Sequence, residues 1–368
     1  MLELLPDNLE AINAHVRELG WIPPTGTLTN PRSAGPGNMN RTLRFDCSAC
    51  GQMKSRGETK SRGEIKSRGE MASIVLKQAV PFVAKYPDIP APIERGAAEA
   101  AFYHAVQNQP QLEARLPRML GNDTANHLLA FEDLGQASDL TAAYGDEELQ
   151  RRLGDFVQPL MQWLGDLHAI TPPILHNHCM RELNHTHIFE LPLQSDNGLE
   201  LGELADVAEH FANHHQLKDA ARHLGKIYIG ESAHASTPVL LHGDFYPGSW
   251  LGTPAHPNDV KVIDPEFAFV GPAEFDVGVC LAHLQFAGMT LEQANTALDH
   301  YNKPQGFDNT LARSFAGIEL IRRLLGVAQL PLPESISTQT KIDWLEAGCS
   351  LVLASATTDE QATAHNRH

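Results

Sequence analysis

Two short apolar runs, each ending in acids, carry the chemistry of this chain. Val239–Leu241 runs into His242-Gly243-Asp244, and Val260–Ile263 runs into Asp264-Pro265-Glu266. Apolar runs of this length bounded by turn residues predict short buried strands. Paired as a β-hairpin, they would bring Asp244, Asp264 and Glu266 around one point. Carboxylates that close are costly to hold together unless a cation sits between them. The simplest occupant is Mg²⁺ bridging a nucleotide's phosphates. Asp244, just past a strand, is then placed to accept the proton of an attacking hydroxyl. Asp264 would bind Mg²⁺, Glu266 could supply a second carboxylate, and His242 reads as a brace for the loop.

Other elements must position the phosphates. Ser73–Gln78 is an apolar strand with one lysine, Lys77. It is either an edge-strand lysine or a ligand of the α- and β-phosphates. About twenty residues on, Ala97–Val106 is helical and carries Glu99, and a strand lysine paired to a helix glutamate is what aims such a lysine. Glu94 competes for that pairing but lies beside Pro92, ahead of the established helix, so Glu99 is preferred. Between Thr25–Asn30 and the strand-like Thr42–Phe45 lies a turn with Gly35 and Gly37. Glycines there let backbone amides approach a phosphate. No Lys-Ser/Thr closes the turn and no helix follows at once, so it is not a P-loop. His127–Phe131 is a further strand, ending in Glu132-Asp133-Leu134-Gly135, and the domain boundary is placed near Gly135.

Helices are expected over residues 1–20, Leu153–His168, 195–235, Asp276–Gly288 and Thr310–Leu330, with Pro172-Pro173 ending the second. Residues 54–71 read KSRGET, KSRGEI and KSRGEM in tandem. Repeats this short bury no core, and the tract reads as a hairpin tip inserted between two strands.

The 368 residues can bury a large core and carry a net charge of −17 with no strongly basic domain, which argues against a nucleic-acid partner. The acidity would suit a cationic substrate, though it equally serves solubility. The N-terminus reads as an amphipathic helix and not a signal peptide, and no apolar run reaches membrane-spanning length. Five cysteines, odd in number and scattered, suggest a reducing compartment and hence the cytoplasm. Cys47 and Cys50 form a lone CxxC, read as unliganded. The tract with His176, His178, Cys179, His185 and His187 is the better metal candidate but lacks a clean ligand spacing. The partner expected is a small molecule, and the assembly is left between monomer and homodimer.

The HGD of 242–244, followed after a short gap by the IDPE of 263–266, resembles the catalytic core of the aminoglycoside phosphotransferase and choline kinase group. That group is the small-molecule branch of the protein-kinase-like fold. Lys261–Gly278, KVIDPEFAFVGPAEFDVG, resembles the methylthioribose kinases more closely still. The resemblance implies an α+β, two-lobed fold. Residues 1–134 would be a small, mostly antiparallel N-lobe carrying the 54–71 insertion, and residues 135–368 a larger, mainly helical C-lobe. It implies ATP and Mg²⁺, with Asp244 as base. It likens Gly35, Gly37 and Asn38 to a GxGNxN element over the nucleotide, and sets Glu132 and Leu134 in the hinge that meets adenine. Ser249 stands where other branches carry a metal-binding Asn; a hydroxyl is a weaker ligand, for which Glu266 could compensate. Arg322 and Arg323 resemble tandem arginines that hold substrate hydroxyls; without the resemblance they would read as an exposed basic pair stabilised at a helix end. His168, closing Leu164-Gly165-Asp166-Leu167-His168, is taken as structural. The relatives' HGDLHTGS is replaced here by HGDFYPGS, and Tyr246 beside the base would touch the acceptor, so the substrate stays open. The expected reaction is ATP-dependent phosphorylation of a hydroxyl on a methylthioribose-like sugar. The alternatives are an aminoglycoside, choline or another sugar as acceptor, or a non-catalytic nucleotide-binding protein.

Overall fold

The computed structural model describes residues 2–35, 37, 39–49, 73–135, 137–253 and 256–365. Asn38, Cys50 and the 54–71 repeats lie outside the described residues. Two compact units emerge: Met1–Tyr103 with Pro117–Gly135, and His104–Leu116 with Gln136–His368. Residues 104–116, ahead of the boundary expected at Gly135, therefore cluster with the second unit.

The first unit is built on an antiparallel sheet. Its strands are β1 (Thr27–Ser33), β2 (Arg41–Ser48), β3 (Ser73–Gln78), β6 (Met119–Asp123) and β7 (Leu128–Glu132), in the order β1-β2-β3-β7-β6. A small hairpin, β4 (Phe82–Val83) with β5 (Tyr86–Pro90), stands apart from it. Helix α1 (Leu9–Glu18) buries Ile12 and Val16 against Leu28, Phe45, Ile74 and Leu76 of the sheet. Its Asn13 amide serves as a strand surrogate, donating to Leu28 O at 2.9 Å and accepting from Leu28 N at 2.7 Å. Helix α2 (Arg95–Ala105) follows the hairpin. Cys47 is buried on β2 and disulfide-bonded, so the cysteines are not all free thiols.

The second unit is mainly helical. After α3 (Pro110–Glu113) and β8 (Ser138–Asp139) comes α4 (Glu147–Ala169), started by Asp146, whose carboxylate accepts from the amides of Glu148 and Leu149. Pro172-Pro173 lie just beyond its end. The connector carries α5 (His178–His185), α6 (Ala205–Ala212) and α7 (His215–Ile229). Four short strands follow: β9 (Val239–Leu241), β10 (Trp250–Gly252), β11 (Lys261–Val262) and β12 (Phe269–Gly271). Their pairing corrects the expected hairpin. β9 pairs with β12, and β10 pairs with β11 and β8. The two apolar runs are not hydrogen-bonded to each other, because Trp250–Gly252 and Phe269–Gly271, unread as strands, take those places.

Helix α8 (Ala273–Phe286) is buried along its whole length, polar residues included. It is followed by α9 (Leu291–Thr296), α10 (Asn309–Leu325) and α11 (Thr338–His365). Glycines let these backbones meet. A Cβ at Gly278 of α8 would fall 2.5 Å from Phe315 Cβ, and one at Gly317 of α10 would fall 2.5 Å from Gly348 O of α11. α10 is thus clamped between α8 and α11, which fixes the side chains at its C-terminal end. Among the described residues, no helix is long and apolar enough to cross a membrane.

Candidate active site

The loop carrying Asp244 is held from below by α8. Asp276 accepts from His242 N at 2.7 Å through Oδ2 and from Gly243 N at 2.9 Å through Oδ1. Gly243 sits at φ 88°, and a Cβ there would lie 2.2 Å from Phe267 O, so no other residue fits the bend. Behind Asp276, His168 presents Nε2 at 3.3 Å, and its Nδ1 meets the Tyr301 hydroxyl at 2.6 Å. His168 is accordingly structural. His242 pairs through Nε2 with Ile263 O at 2.9 Å, tying the Asp244 loop to the Asp264 loop. Burial pushes its pKa down, against the opposing pull of Asp276, so it stands as a neutral brace. Phe245 is buried, stacked on Trp163 at 5.8 Å and edge-on to Trp250 at 5.2 Å. It anchors the loop. The Ser249 hydroxyl donates to Asp244 O at 2.9 Å, again holding the loop.

The side chain of Asp244 meets two guanidinium groups. Its Oδ1 accepts from Arg323 Nη2 at 2.7 Å and from Arg322 Nη2 at 3.2 Å. The pair is no exposed feature of a helix end: the two arginines are only 5% and 6% exposed. Glu319, one turn earlier on α10, neutralises them. Its Oε1 accepts from Arg323 Nε at 2.7 Å and Arg322 Nη2 at 3.1 Å, and its Oε2 accepts from Arg322 Nε. Burial alone would raise the Glu319 pKa, but the two arginines outweigh it and hold the carboxyl well below the usual range. Tyr246 covers Arg323 at 4.6 Å from ring centre to guanidinium carbon, and packs on His283 at 4.8 Å. Gly248 makes room for it, since a Cβ there would lie 2.4 Å from the phenol oxygen. Burial and then Asp244 and Asp264 push the Tyr246 hydroxyl up to about 12, which sets both carboxylates within electrostatic reach of one ring.

Asp264 adopts the left-handed region, φ 61° and ψ 49°, immediately before Pro265. A non-glycine residue there stores roughly 1–3 kcal/mol, and such strain concentrates where a side chain must be aimed. Glu266 is buried two residues later. Asn177 ties this loop from the connector, donating from Nδ2 to Glu266 O and Ala268 O, both at 2.9 Å. Oxygen donors on a strained, braced turn suit Mg²⁺, which takes one or two carboxylates with phosphates and waters. No group of three or more His, Cys, Asp or Glu able to hold a metal occurs among the described residues. From the histidine- and cysteine-bearing tract of 176–187, Asn177 is the residue that reaches this turn.

The profile of the phosphotransferase enzyme family matches residues 73–309, more than half of the chain. The chain belongs to this family. That membership makes it an ATP-dependent phosphotransferase acting on a hydroxyl acceptor. The methylthioribose kinase of Bacillus pumilus is 25% identical over 316 residues, covering 73% of this chain and 76% of that protein. The methylthioribose kinase of Exiguobacterium sibiricum is 35% identical over 176 residues, 39% of this chain, and only 43% of that protein's length is spanned. Among solved structures, choline kinase LicA from Streptococcus pneumoniae superposes with a TM-score of 0.50 at 12% identity, covering 94% of this chain and 98% of that one. That likeness concerns the fold alone, and it is the two-lobed α+β kinase-like fold.

In the first unit of this phosphotransferase, Lys77 and Glu99 form a buried ion pair at 2.7 Å. Arg95 went unread in the sequence. It donates to Asn40 Oδ1 at 3.0 Å, Met39 O at 2.8 Å, Val80 O at 2.8 Å and Pro92 O at 2.7 Å, fixing the chain beyond the glycine turn. Gly35 and Gly37 are exposed, and a Cβ on either would meet nothing within 4 Å. Glu132 accepts from Arg118 N at 2.9 Å, and Leu134 is half-buried. Between them Asp133, also missed, binds the Ser73 hydroxyl at 2.6 Å, Arg44 at 3.0 Å and Gly135 N at 3.0 Å. Glu319, His283 and Tyr144 were missed as well. Only Glu319 left a readable trace: it stands three and four residues before Arg322 and Arg323, the spacing of neighbours on a helix.

Proposed function

We propose that this phosphotransferase moves the γ-phosphoryl group of ATP to a hydroxyl of a methylthioribose-like sugar, with Asp244 as the base. The observation that carries the reading is Asp244 Oδ1 gripped by Arg322 and Arg323 at a strand end. With Oδ1 committed to the arginines, Oδ2 is the oxygen offered to the acceptor hydroxyl, whose proton it takes as the oxygen attacks. The guanidinium groups hold neighbouring sugar hydroxyls and offset charge as it develops on the transferred group. Tyr246 walls the same side.

In this reading the first unit is the nucleotide-binding lobe, with the 54–71 tract as an insertion, and the second is the catalytic lobe. Lys77, aimed by Glu99, holds the α- and β-phosphates. Gly35, Gly37 and Asn38 cover them, and the backbone of Glu132 and Leu134 meets adenine. Asp264 and Glu266 would hold Mg²⁺, with Ser249 as a weak third ligand at most, since its hydroxyl proton is given to Asp244 O. Bound there, Mg²⁺ neutralises phosphate charge. The enzyme works on small molecules and not on nucleic acid.

A cationic acceptor such as choline or an aminoglycoside suits the site poorly. Asp244 and Glu319 are matched by Arg322 and Arg323, so the carboxylates leave no net negative charge for a cation, and desolvated like charges repel strongly. The net charge of −17 is therefore no guide to the acceptor. The test is ADP release with methylthioribose, related deoxypentoses, choline and aminoglycosides. Turnover of methylthioribose without turnover of the cations supports the reading, and the reverse pattern overturns it.

A further inference from the structure

Asp244 is the visible end of a longer buried chain. Glu319 Oε1 meets His283 Nε2 at 3.0 Å, and His283 Nδ1 meets the Tyr144 hydroxyl at 2.6 Å. All three side chains are buried and come from three elements: α10, α8 and the helical turn Thr141–Tyr144. We propose that Tyr144, His283 and Glu319 are positioning residues that set the arginine pair on Asp244, an inference that rests on Asp244 being the base.

Burial depresses the His283 pKa to about 4, so the ring is neutral at pH 7. A neutral imidazole donates from one nitrogen and accepts at the other. A carboxylate can only accept, so Nε2 carries the hydrogen toward Glu319, and Nδ1 must accept from the Tyr144 hydroxyl. Without that hydroxyl the buried Nδ1 loses its donor, and the ring loses the contact that fixes its orientation toward Glu319. Glu319 in turn sets both guanidinium groups. Arg322 is held through both Nε and Nη2, and Arg323 through Nε, which leaves the Nη2 of Arg323 and Arg322 directed at Asp244 Oδ1. His283 acts on a second point too, because its face supports Tyr246, the ring that covers Arg323.

Kinetics with methylthioribose and MgATP test this in Tyr144→Phe, Glu319→Gln, His283→Leu and His283→Gln. Losing a buried hydrogen bond in the chain should lower kcat/KM for the acceptor roughly 10- to 100-fold, with the KM for ATP within about twofold of wild type. His283→Gln should recover activity over His283→Leu, because an amide can accept from Tyr144 and donate to Glu319. In an Arg323→Ala background, Tyr144→Phe should lose much of its effect, since one of the two arginines it acts through is gone. A readout that needs no acceptor is the NMR signal of Arg323 Nε–H, which should move in Tyr144→Phe. Wild-type kinetics in Tyr144→Phe, an equal loss in both backgrounds, or an unmoved Arg323 signal would each overturn the proposal. If His283→Leu does not fold, Tyr144→Phe and the double variant still decide it. An active Asp244→Asn would remove the base and this inference together, whereas an inactive Asp244→Asn beside an unaffected Tyr144→Phe would remove the inference alone.

Discussion

Two buried carboxylates in the second unit are built alike and do different work. Asp276 is backed by His168 and Tyr301, and Glu319 is backed by His283 and Tyr144. In both, a tyrosine hydroxyl meets Nδ1 and the carboxylate meets Nε2. Asp276 spends its oxygens on two backbone amides, those of His242 and Gly243, and so fixes where the Asp244 main chain lies. Glu319 spends its oxygens on two guanidinium groups, and so fixes what the Asp244 side chain meets. The first partner set is neutral and already part of a loop. The second is doubly charged and carried on long side chains that only a matched carboxylate can keep buried.

The comparison breaks most visibly at Glu319. Glu319→Ala strands two buried cations with Asp244 alone to offset them. Breaking such a pair typically costs ~3–5 kcal/mol, so urea unfolding should show a loss of that order. A loss below ~1 kcal/mol would mean that water or a relaxed arginine takes the place of Glu319.

Acid should separate the two regions next. In the folded state His283 titrates near 4, while an ordinary histidine titrates near 6.5. The unfolded chain therefore binds a proton that the folded chain refuses. The stabilisation from neutral His283 is whole above about 6.5 and is lost as pH falls toward 4. The loss is ~3 kcal/mol at most by that shift. The depressed carboxyl of Glu319 adds a further loss below the ordinary carboxylate range, in the same direction. His283→Gln should flatten stability against pH between about 6.5 and 4. An unchanged slope would assign the acid sensitivity elsewhere, with buried His242 the first alternative.

Asp276→Asn should cost less, ~1–3 kcal/mol, because one amide loses its acceptor while the other can keep a carbonyl oxygen. Its kinetic signature should be a fall in kcat with little change in acceptor KM, the opposite of Glu319→Gln. Identical signatures for both would erase the distinction between main-chain and side-chain placement. The smallest effect is expected at Gly248. A Cβ there would press on the Tyr246 phenol, the far end of a side chain that can shift. Gly248→Ala should raise acceptor KM a few-fold, on the order of 1 kcal/mol, without altering ATP affinity. An altered ATP affinity would place Tyr246 at the nucleotide instead.

What the sequence reveals follows the same division. Contacts made along one short segment are readable: HGD and IDPE announce themselves, and Lys77 with Glu99 follows from a strand and the next helix. Even there the strand pairing was misread, because Trp250–Gly252 and Phe269–Gly271 are three-residue strands with no alternation long enough to see. Contacts that converge from distant segments are not readable. His283 lies on a helix buried all round, where periodicity marks no face, and Tyr144 lies in a single helical turn. Arg322 and Arg323 were legible as residues but not as a buried pair, since their burial depends on the close approach of α8 and α11, which glycines permit. α11 itself was not anticipated.

The central claim is that Asp244 takes the proton. Asp244→Asn keeps the size of the side chain but removes the base. With methylthioribose and MgATP, its turnover should fall by ~10²–10⁴, while nucleotide binding measured by calorimetry stays at the wild-type value. Turnover within a few-fold of wild type would contradict the account.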